Sequence, residues 1–236
     1  MGADPDTVAA AEAPLGAGLI EAQRLRWRHR ASEATLRRDA RRWTMWTAGV
    51  WVAFGAPAAL VIGLNAWLFP VALVLLGHAY GICRLQAGRA VGSLVPLGPT
   101  GGGAPPGADP HAERVALGLL GDLLGHRERE LLRESGLALE RGRLGIWLLG
   151  ERGALLVRPG GRRLHSFCVR VGESDDLPRG DRVAHLLLAL REDELGFATV
   201  ANLGFCGAVW RCRRRLRPRQ RAALDAALRA ARSVRA

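Results

Sequence analysis

Lysine is absent from this sequence, and all 34 of its basic side chains are arginines. Motifs that need a lysine, such as the phosphate-binding P-loop, are therefore excluded, and neither G-x-S-x-G nor H-E-x-x-H occurs. The composition, with its abundant alanine, glycine and leucine, is typical of a GC-rich bacterial genome. Every cation is a planar, permanently charged group that suits phosphate and carboxylate partners.

Cysteine is scarce: the four thiols form no C-x-x-C pair. The long, charged N-terminal segment lacks the features of a secretory signal, so we expect reduced, cytosolic thiols. A metal site built from His165, Cys168, Cys206 and Cys212 is not expected. Residues three apart in a strand point to opposite faces, and Cys206 and Cys212 would lie about 20 Å apart on an extended strand. The sequence therefore predicts no metal and no cofactor.

Charged side chains are missing from Trp43 to Cys83, a run of 41 residues. A single helix of this length would reach about 60 Å, twice the hydrocarbon thickness of a bilayer, whereas two crossings fit. The turn is expected around Asn65, which gives helices near 43–63 and 66–84. The sequence thus predicts a transmembrane helical hairpin over residues 43–84.

The arginines around this hairpin predict its orientation. Residues 21–42 carry eight arginines and are expected to form a basic juxtamembrane helix. Arg84 and Arg89 follow the hairpin, whereas its turn has no charge. By the positive-inside rule both termini are cytoplasmic, in a multi-pass protein of the inner (plasma) membrane. The lipid bilayer is accordingly the first expected partner.

Two glycines in the second membrane helix, Gly77 and Gly81, form a G-x-x-x-G pair. This spacing lets helix backbones approach closely. It predicts tight packing either within the hairpin or in a homo-oligomer formed through the hairpin.

The rest of the chain divides by composition. Residues 1–20 are rich in alanine, glycine and proline and are predicted to be disordered. Residues 92–110 form a Gly/Pro linker. Residues 111–236 are then a cytosolic α+β domain with a basic C-terminal helix. Because the segment 109–236 has the size of an ordinary domain, we expect it to fold without the hairpin.

Apolar periodicity predicts the secondary structure of that domain. Asp109 and Pro110 mark a helix start, Gly136 ends a second helix, and Asp181 is expected to cap a third. Short β patterns predict an antiparallel meander at 144–149, 154–158 and 164–171, and a further strand pair at 197–203 and 206–212. Pro218 predicts the start of a final helix at 218–234. The fold class is therefore α+β: a two-helix transmembrane hairpin followed by a soluble domain with an antiparallel sheet and flanking helices.

A second uncharged run, Leu195–Trp210, has 16 residues. It is short for a membrane helix and contains Thr199, Asn202 and three glycines. A third crossing would also place the arginine-rich tail outside, against the positive-inside rule. We therefore assign this run to the soluble domain.

Two acidic clusters, Asp175–Asp176 and Glu192–Glu194, have the chemistry to hold Mg²⁺ or to act in acid–base catalysis. Both lie at element boundaries rich in turn residues, where exposed acids are common. An enzyme whose site is assembled from scattered polar residues is one alternative function.

The C-terminal segment is far more basic than the rest of the domain. The net charge is −1 from Asp109 to Trp210 and +9 from Arg211 to Ala236. Seven arginines fall within eleven residues: Arg211, Arg213, Arg214, Arg215, Arg217, Arg219 and Arg221. This density exceeds that of an ordinary solvated helix face and predicts a polyanionic partner.

Three partners suit this arginine cluster. Anionic lipid headgroups are nearest because the linker is short, and a surface arginine contributes about 1 kcal/mol near an anionic bilayer. Nucleic acid would bind without sequence preference. Acidic groups of a partner protein, or of Glu192–Glu194, would also pair with the cluster. The leading hypothesis is a non-enzymatic, membrane-anchored accessory or scaffolding module at the inner face of the membrane; a membrane-tethered nucleic-acid-binding protein is the alternative.

Overall fold

The computed structural model describes residues 30–92, 94, 96, 97, 109–169 and 177–233. The predictions for residues 1–20, for most of the linker 92–110 and for Asp175–Asp176 lie outside these residues. The described part of the chain is an α+β fold with a five-stranded antiparallel sheet, which confirms the predicted class.

The hairpin consists of helix α1, Glu33–Leu64, and helix α2, Phe69–Gly92, joined through Asn65 and a short 3₁₀ turn. A capping box at Ser32 starts α1. Asn65 leaves the helical conformation, and its side chain accepts the N–H of Trp67. Both helices are long and apolar enough to cross a membrane. The predicted juxtamembrane helix 21–42 is only partly correct: residues 21–29 lie outside the described residues, residues 30–32 are not helical, and from Glu33 onward the segment continues directly into α1 as one helix.

Small side chains fill the interior of the hairpin, where Ala58, Ala72 and Ala79 are buried. Large apolar side chains are exposed on both helices, among them Trp46, Trp51, Leu60, Leu73 and Val74. Gly77 and Gly81 do not lie at the contact with α1, since a Cβ built on either meets no atom within 4 Å. Packing of these glycines in a homo-oligomer stays a prediction.

The sheet is a simple meander in which each strand pairs antiparallel with the next. Its strands are β1 Ala138–Arg141, β2 Ile146–Gly150, β3 Gly153–Val157, β4 Arg163–Cys168 and β5 Asn202–Ala208. The predicted strands at 144–149, 154–158 and 164–171 correspond to β2, β3 and β4. Strand β1 was not predicted, because it is a four-residue edge strand in which two of the residues, Glu140 and Arg141, are charged.

Helices cover both faces of the sheet. They are α3 Pro110–Asp122, α4 His126–Ser135, α5 Arg179–Glu192, α6 Glu194–Val200, α7 Val209–Arg213 and α8 Pro218–Ser233. On one face, Trp147 and Phe167 join apolar side chains of α3, α5 and α6. On the other, Leu148 and Leu155 join those of α7, α8 and the end of α2. Strands β2 and β3 are fully buried, so their sequences are continuously apolar rather than alternating.

The helix boundaries follow local chemistry at several points. The Asp109 side chain accepts the His111 N–H and caps α3. Gly136 ends α4 in the left-handed conformation, with φ 72°, and its carbonyl accepts the Leu97 N–H. The predicted cap at Asp181 is wrong: α5 begins at Arg179, and Asp181 lies in its first turn.

The predicted strand pair at 197–203 and 206–212 is also wrong. The Asp193 side chain accepts the Gly196 N–H and caps the start of helix α6. Most of the first predicted strand, 197–203, is therefore helical. A single strand, β5, follows and pairs with β4. After Ala208 the chain turns into helix α7, so the second predicted strand ends before its midpoint.

Candidate anion-binding site at the open end of the hairpin

The domain is docked on the open end of the hairpin, meaning residues 33–51 of α1 and 80–92 of α2, remote from Asn65. Two side chains of β4 bind the backbone of α1. The Nε2 atom of His165 donates to the Leu36 carbonyl at 3.2 Å, and Nη1 of Arg163 donates to the Ala40 carbonyl at 3.1 Å. The Leu36 side chain is buried in one core of the domain.

Helix α2 contributes to the other core. Ala87 belongs to the same buried cluster as side chains of β2, β3, β5 and α8, and so does Leu94 just beyond the helix. Trp43 of α1 meets Phe205 of β5 edge-on, with ring centroids 5.6 Å apart. The hairpin and the domain therefore share their packing and form one structural unit.

Arg211, the first member of the arginine cluster, joins the domain to both hairpin helices. Its Nη2 donates to the Cys83 carbonyl at 2.8 Å and to Gln86 Oε1 at 3.2 Å, and its Nη1 donates to Thr47 Oγ1 at 3.3 Å. The same guanidinium lies 5.3 Å from the Phe205 ring centroid. This arginine is thus a structural clamp with donors to spare, since a guanidinium carries five N–H groups.

Of two further members of the cluster, one binds the hairpin and the other stacks on helix α7. Arg215 Nη2 donates to the Arg84 carbonyl at 2.9 Å. Arg214 stacks on Trp210, with its guanidinium 5.0 Å from the ring centroid. Together with Arg211 and the Arg84 side chain, they line a cavity of about 320 Å³ between the open end and α7.

The rest of that cavity is aromatic or small. Trp51 of α1, Tyr80 of α2 and Trp210 of α7 form part of its wall, and Thr47 adds a hydroxyl. No acidic side chain of the described residues lines it. We call it the arginine cavity; its four cations and three aromatic rings give it a charged half and an apolar half.

The other four members of the cluster lie outside the arginine cavity. Arg213 forms two hydrogen bonds with the Asp225 carboxylate, at 3.0 and 2.9 Å, which hold the pKa of Asp225 below its usual range. Arg221 Nε donates to the Leu216 carbonyl. Arg217 and Arg219 are exposed at the start of α8. The sequence therefore located the cluster, but it did not show that three of the arginines line the cavity and four lie outside it.

A second cavity, of about 510 Å³, lies on the other side of α2. Arg42 and Arg89 line it, but Trp43, Trp46 and Leu85 make it mainly apolar. It has half as many arginines as the arginine cavity.

Glu194, one of the acids expected as possible partners of the cluster, is engaged elsewhere, whereas pairing with Glu192 or Asp193 stays a prediction. Glu194 accepts hydrogen bonds from the Arg143 and Leu144 backbone N–H groups, at 2.7 and 3.0 Å, and from Trp147 Nε1 at 2.6 Å. It therefore fixes the β1–β2 turn against α6. This acid serves the fold, and its role depends on a partner about fifty residues away that no local pattern indicates.

The cysteine and histidine candidates do not form a metal centre within the described residues. His165 and Cys206 are cross-strand partners on β4 and β5, a juxtaposition that the sequence did not reveal. Burial lowers the pKa of His165 to about 4 and raises the pKa of Cys206 to about 12. A neutral imidazole therefore lies beside a protonated thiol. A nucleophilic cysteine would need the deprotonated thiolate instead, so this pair is not an activated nucleophile.

Comparison with known proteins finds no family model, no curated protein and no solved structure that matches this chain.

Proposed function

We propose that this protein is a non-enzymatic accessory or scaffolding module anchored in the inner (plasma) membrane. The hairpin crosses the membrane twice, both termini are cytoplasmic, and the domain lies against the inner leaflet. The large exposed apolar side chains of α1 and α2 support a lipid environment for the hairpin, because a soluble protein rarely exposes such a continuous apolar surface.

The observation that carries this proposal is the shared packing of hairpin and domain. Leu36 and Ala87, from the two hairpin helices, are buried in the two cores of the domain. A domain held in this way cannot swing away from the membrane on a flexible tether. It presents one fixed face to the leaflet and the remaining faces to the cytoplasm, as a platform for other proteins requires.

The arginine cavity lies at the depth expected for phospholipid headgroups. From Asn65 back to Thr47 there are 18 helical residues, which correspond to about 27 Å and nearly match the ~30 Å hydrocarbon core. With the Asn65 turn at the outer surface, the arginines at the open end meet the inner headgroup region. This placement favours anionic lipid over nucleic acid as the partner of Arg211, Arg214 and Arg215.

Labelling of single cysteines in intact cells tests the topology. The variants Asn65→Cys and Arg219→Cys place a reactive thiol at the exposed turn and at the exposed start of α8. A membrane-impermeant maleimide should label position 65 in intact cells and position 219 only after permeabilisation. The unsubstituted protein controls for labelling of its four native cysteines. Protection of position 65 in intact cells would contradict the hairpin topology, and labelling of position 219 would show a third crossing.

A further inference from the structure

We infer that the arginine cavity binds the phosphate of one anionic phospholipid, with an acyl chain beside Trp51 and Tyr80. The inference rests on the proposed membrane function and names the lipid class that the domain recognises. Its first support is charge: Arg84, Arg211 and two neighbouring arginines line the cavity, and no described acid lines it. Four cations in one cavity without an acidic side chain favour the binding of an anion.

Three of the four cations are held in place before any ligand binds. Arg211 and Arg215 are fixed by hydrogen bonds to the carbonyls of Cys83 and Arg84. Arg214 is held by its stacking on Trp210. Because these side chains are already ordered, a phosphate that binds there loses less conformational entropy than at a set of freely moving arginines. A planar guanidinium group can also donate two parallel hydrogen bonds to the two non-bridging oxygen atoms of a phosphate diester.

The apolar half of the cavity distinguishes a lipid from a soluble phosphate. Trp51 and Tyr80 come from the two hairpin helices and lie on the side toward Asn65, where the exposed surface of the hairpin is apolar. Aromatic side chains of this kind are common where a membrane protein meets the boundary between headgroups and acyl chains. A lipid fills both halves of the cavity, whereas a free phosphate leaves the aromatic half empty.

The chain offers a variant that removes two of the four charges of the cavity and keeps the hydrogen bonds that dock the domain. The side chains of Arg84 and Arg214 line the cavity, but the hydrogen bonds that dock the domain come from Arg211, Arg215 and β4. The double variant Arg84→Gln/Arg214→Gln therefore tests the site. Two controls lose the same charge elsewhere: Arg217→Gln/Arg219→Gln outside the cavity, and Arg42→Gln/Arg89→Gln in the second cavity.

The full chain, purified in a neutral detergent, is titrated with phosphatidylglycerol, and retained lipid is counted by native mass spectrometry. We expect one tightly retained lipid, with phosphatidylcholine bound at least about tenfold more weakly. Arg84→Gln/Arg214→Gln should weaken retention by about tenfold or more, which is the size expected for two arginines near a phosphate. Each control should change retention by less than about twofold.

Four results would overturn the inference. Equal losses in all three double variants would show general attraction by the basic surface, and a loss only in Arg42→Gln/Arg89→Gln would place the lipid in the second cavity. Displacement by an equal concentration of glycerol 3-phosphate would show a site for soluble anions. Displacement by short duplex DNA would assign the site to nucleic acid. Each of these can occur with the hairpin topology intact, so failure here is distinguishable from failure of the cysteine labelling.

Discussion

Two uncharged runs of the chain, Trp43–Cys83 and Leu195–Trp210, lie in different environments. In Trp43–Cys83 many large side chains are exposed, Leu60 and Leu73 among them. In Leu195–Trp210 the bulky side chains Phe197 and Phe205 are buried. An uncharged run therefore does not by itself identify a membrane segment. The length of the run, and the capping residues that end helices within or beside it, determine whether it can cross a membrane.

The interruptions in the second run are visible in its structure. Asp193 starts helix α6, which ends at Val200 after seven residues, and Asn202 then opens a seven-residue strand. Neither element approaches the ~20 residues that a membrane helix needs. The first run has one interruption, at Asn65, and each half forms a helix long enough to cross.

The two runs are nevertheless in contact, and deleting the hairpin should have the largest effect of the changes considered. A fragment of residues 109–236 loses Leu36, Ala87 and Leu94 from its cores. Burial of two leucines contributes about 4 kcal/mol, close to the whole net stability of a small domain. We expect this fragment to aggregate or to lose its near-ultraviolet circular dichroism in the absence of detergent.

A chain that starts at residue 30 and keeps the hairpin is the matched control, and it should unfold cooperatively in detergent. The sequence alone predicts the opposite for the fragment, because residues 109–236 have the size and the turn signals of an independent domain. A soluble, monomeric fragment with a cooperative thermal transition would show that the shared packing is dispensable.

That disagreement illustrates how far local patterns reach in this chain. The break at Asn65, the cap at Asp109 and the left-handed end at Gly136 depend on residues within one turn, and the sequence predicted them. Helix α6 was missed although Asp193 offers a local start signal; within it, Phe197 lies edge-on against Trp147, at 5.5 Å, and Glu194 binds the same tryptophan. Such contacts between distant residues override local β propensity.

The candidate site shows the same limit. Seven closely spaced arginines were visible in the sequence, but their division was not. Arg211 faces the hairpin while Arg213 pairs with Asp225, and this difference arises from the docking of helix α7 on α2. No spacing rule contains that information, because the partners Cys83 and Gln86 lie more than a hundred residues away.

Truncation of Phe205, in the second run, tests whether the side chains of the two runs differ in burial. Phe205 is fully buried between β4, Trp43 and Arg211, so Phe205→Ala should cost about 3–5 kcal/mol. The control Leu73→Ala removes a half-exposed side chain of the first run and should cost less than about 1 kcal/mol. Thermal unfolding of the full chain in detergent measures both. Similar losses in the two variants would mean that the runs share one kind of environment.

The smallest effect expected is a pH dependence at the contact between α1 and β4, which lies beside the second run. His165 pairs with Cys206 of the second run, and its Nε2 donates to the Leu36 carbonyl, while its buried Nδ1 has no hydrogen-bond partner among the described residues. Burial, together with the nearby Arg158 and Arg163 and against the hydrogen bond to Leu36, lowers the pKa of His165 to about 4.

The sign of the effect follows from where the proton binds. Between pH 6.5 and about 4 the unfolded histidine is protonated and the folded one is not. Stability is therefore complete above pH 6.5 and falls as the pH decreases to about 4, by at most about 3 kcal/mol. Glu151 acts in the opposite direction, since burial raises the pKa of its carboxyl. For this reason the difference between variants, rather than the total slope, is the quantity to measure.

His165→Gln should flatten the fall in stability between pH 6.5 and 4, because glutamine takes up no proton there. The control His185→Gln changes an exposed histidine on α5 and should leave the slope of the unsubstituted protein unchanged. The slopes are compared by measuring the free energy of unfolding of each variant at pH 7, 5.5 and 4.5 in one detergent. An unchanged slope in His165→Gln would mean that the imidazole is already accessible to water, and hence that the contact between α1 and β4 opens readily. Parallel slopes in the unsubstituted protein and His185→Gln, with a flat profile for His165→Gln, would show that this contact stays closed throughout the pH range.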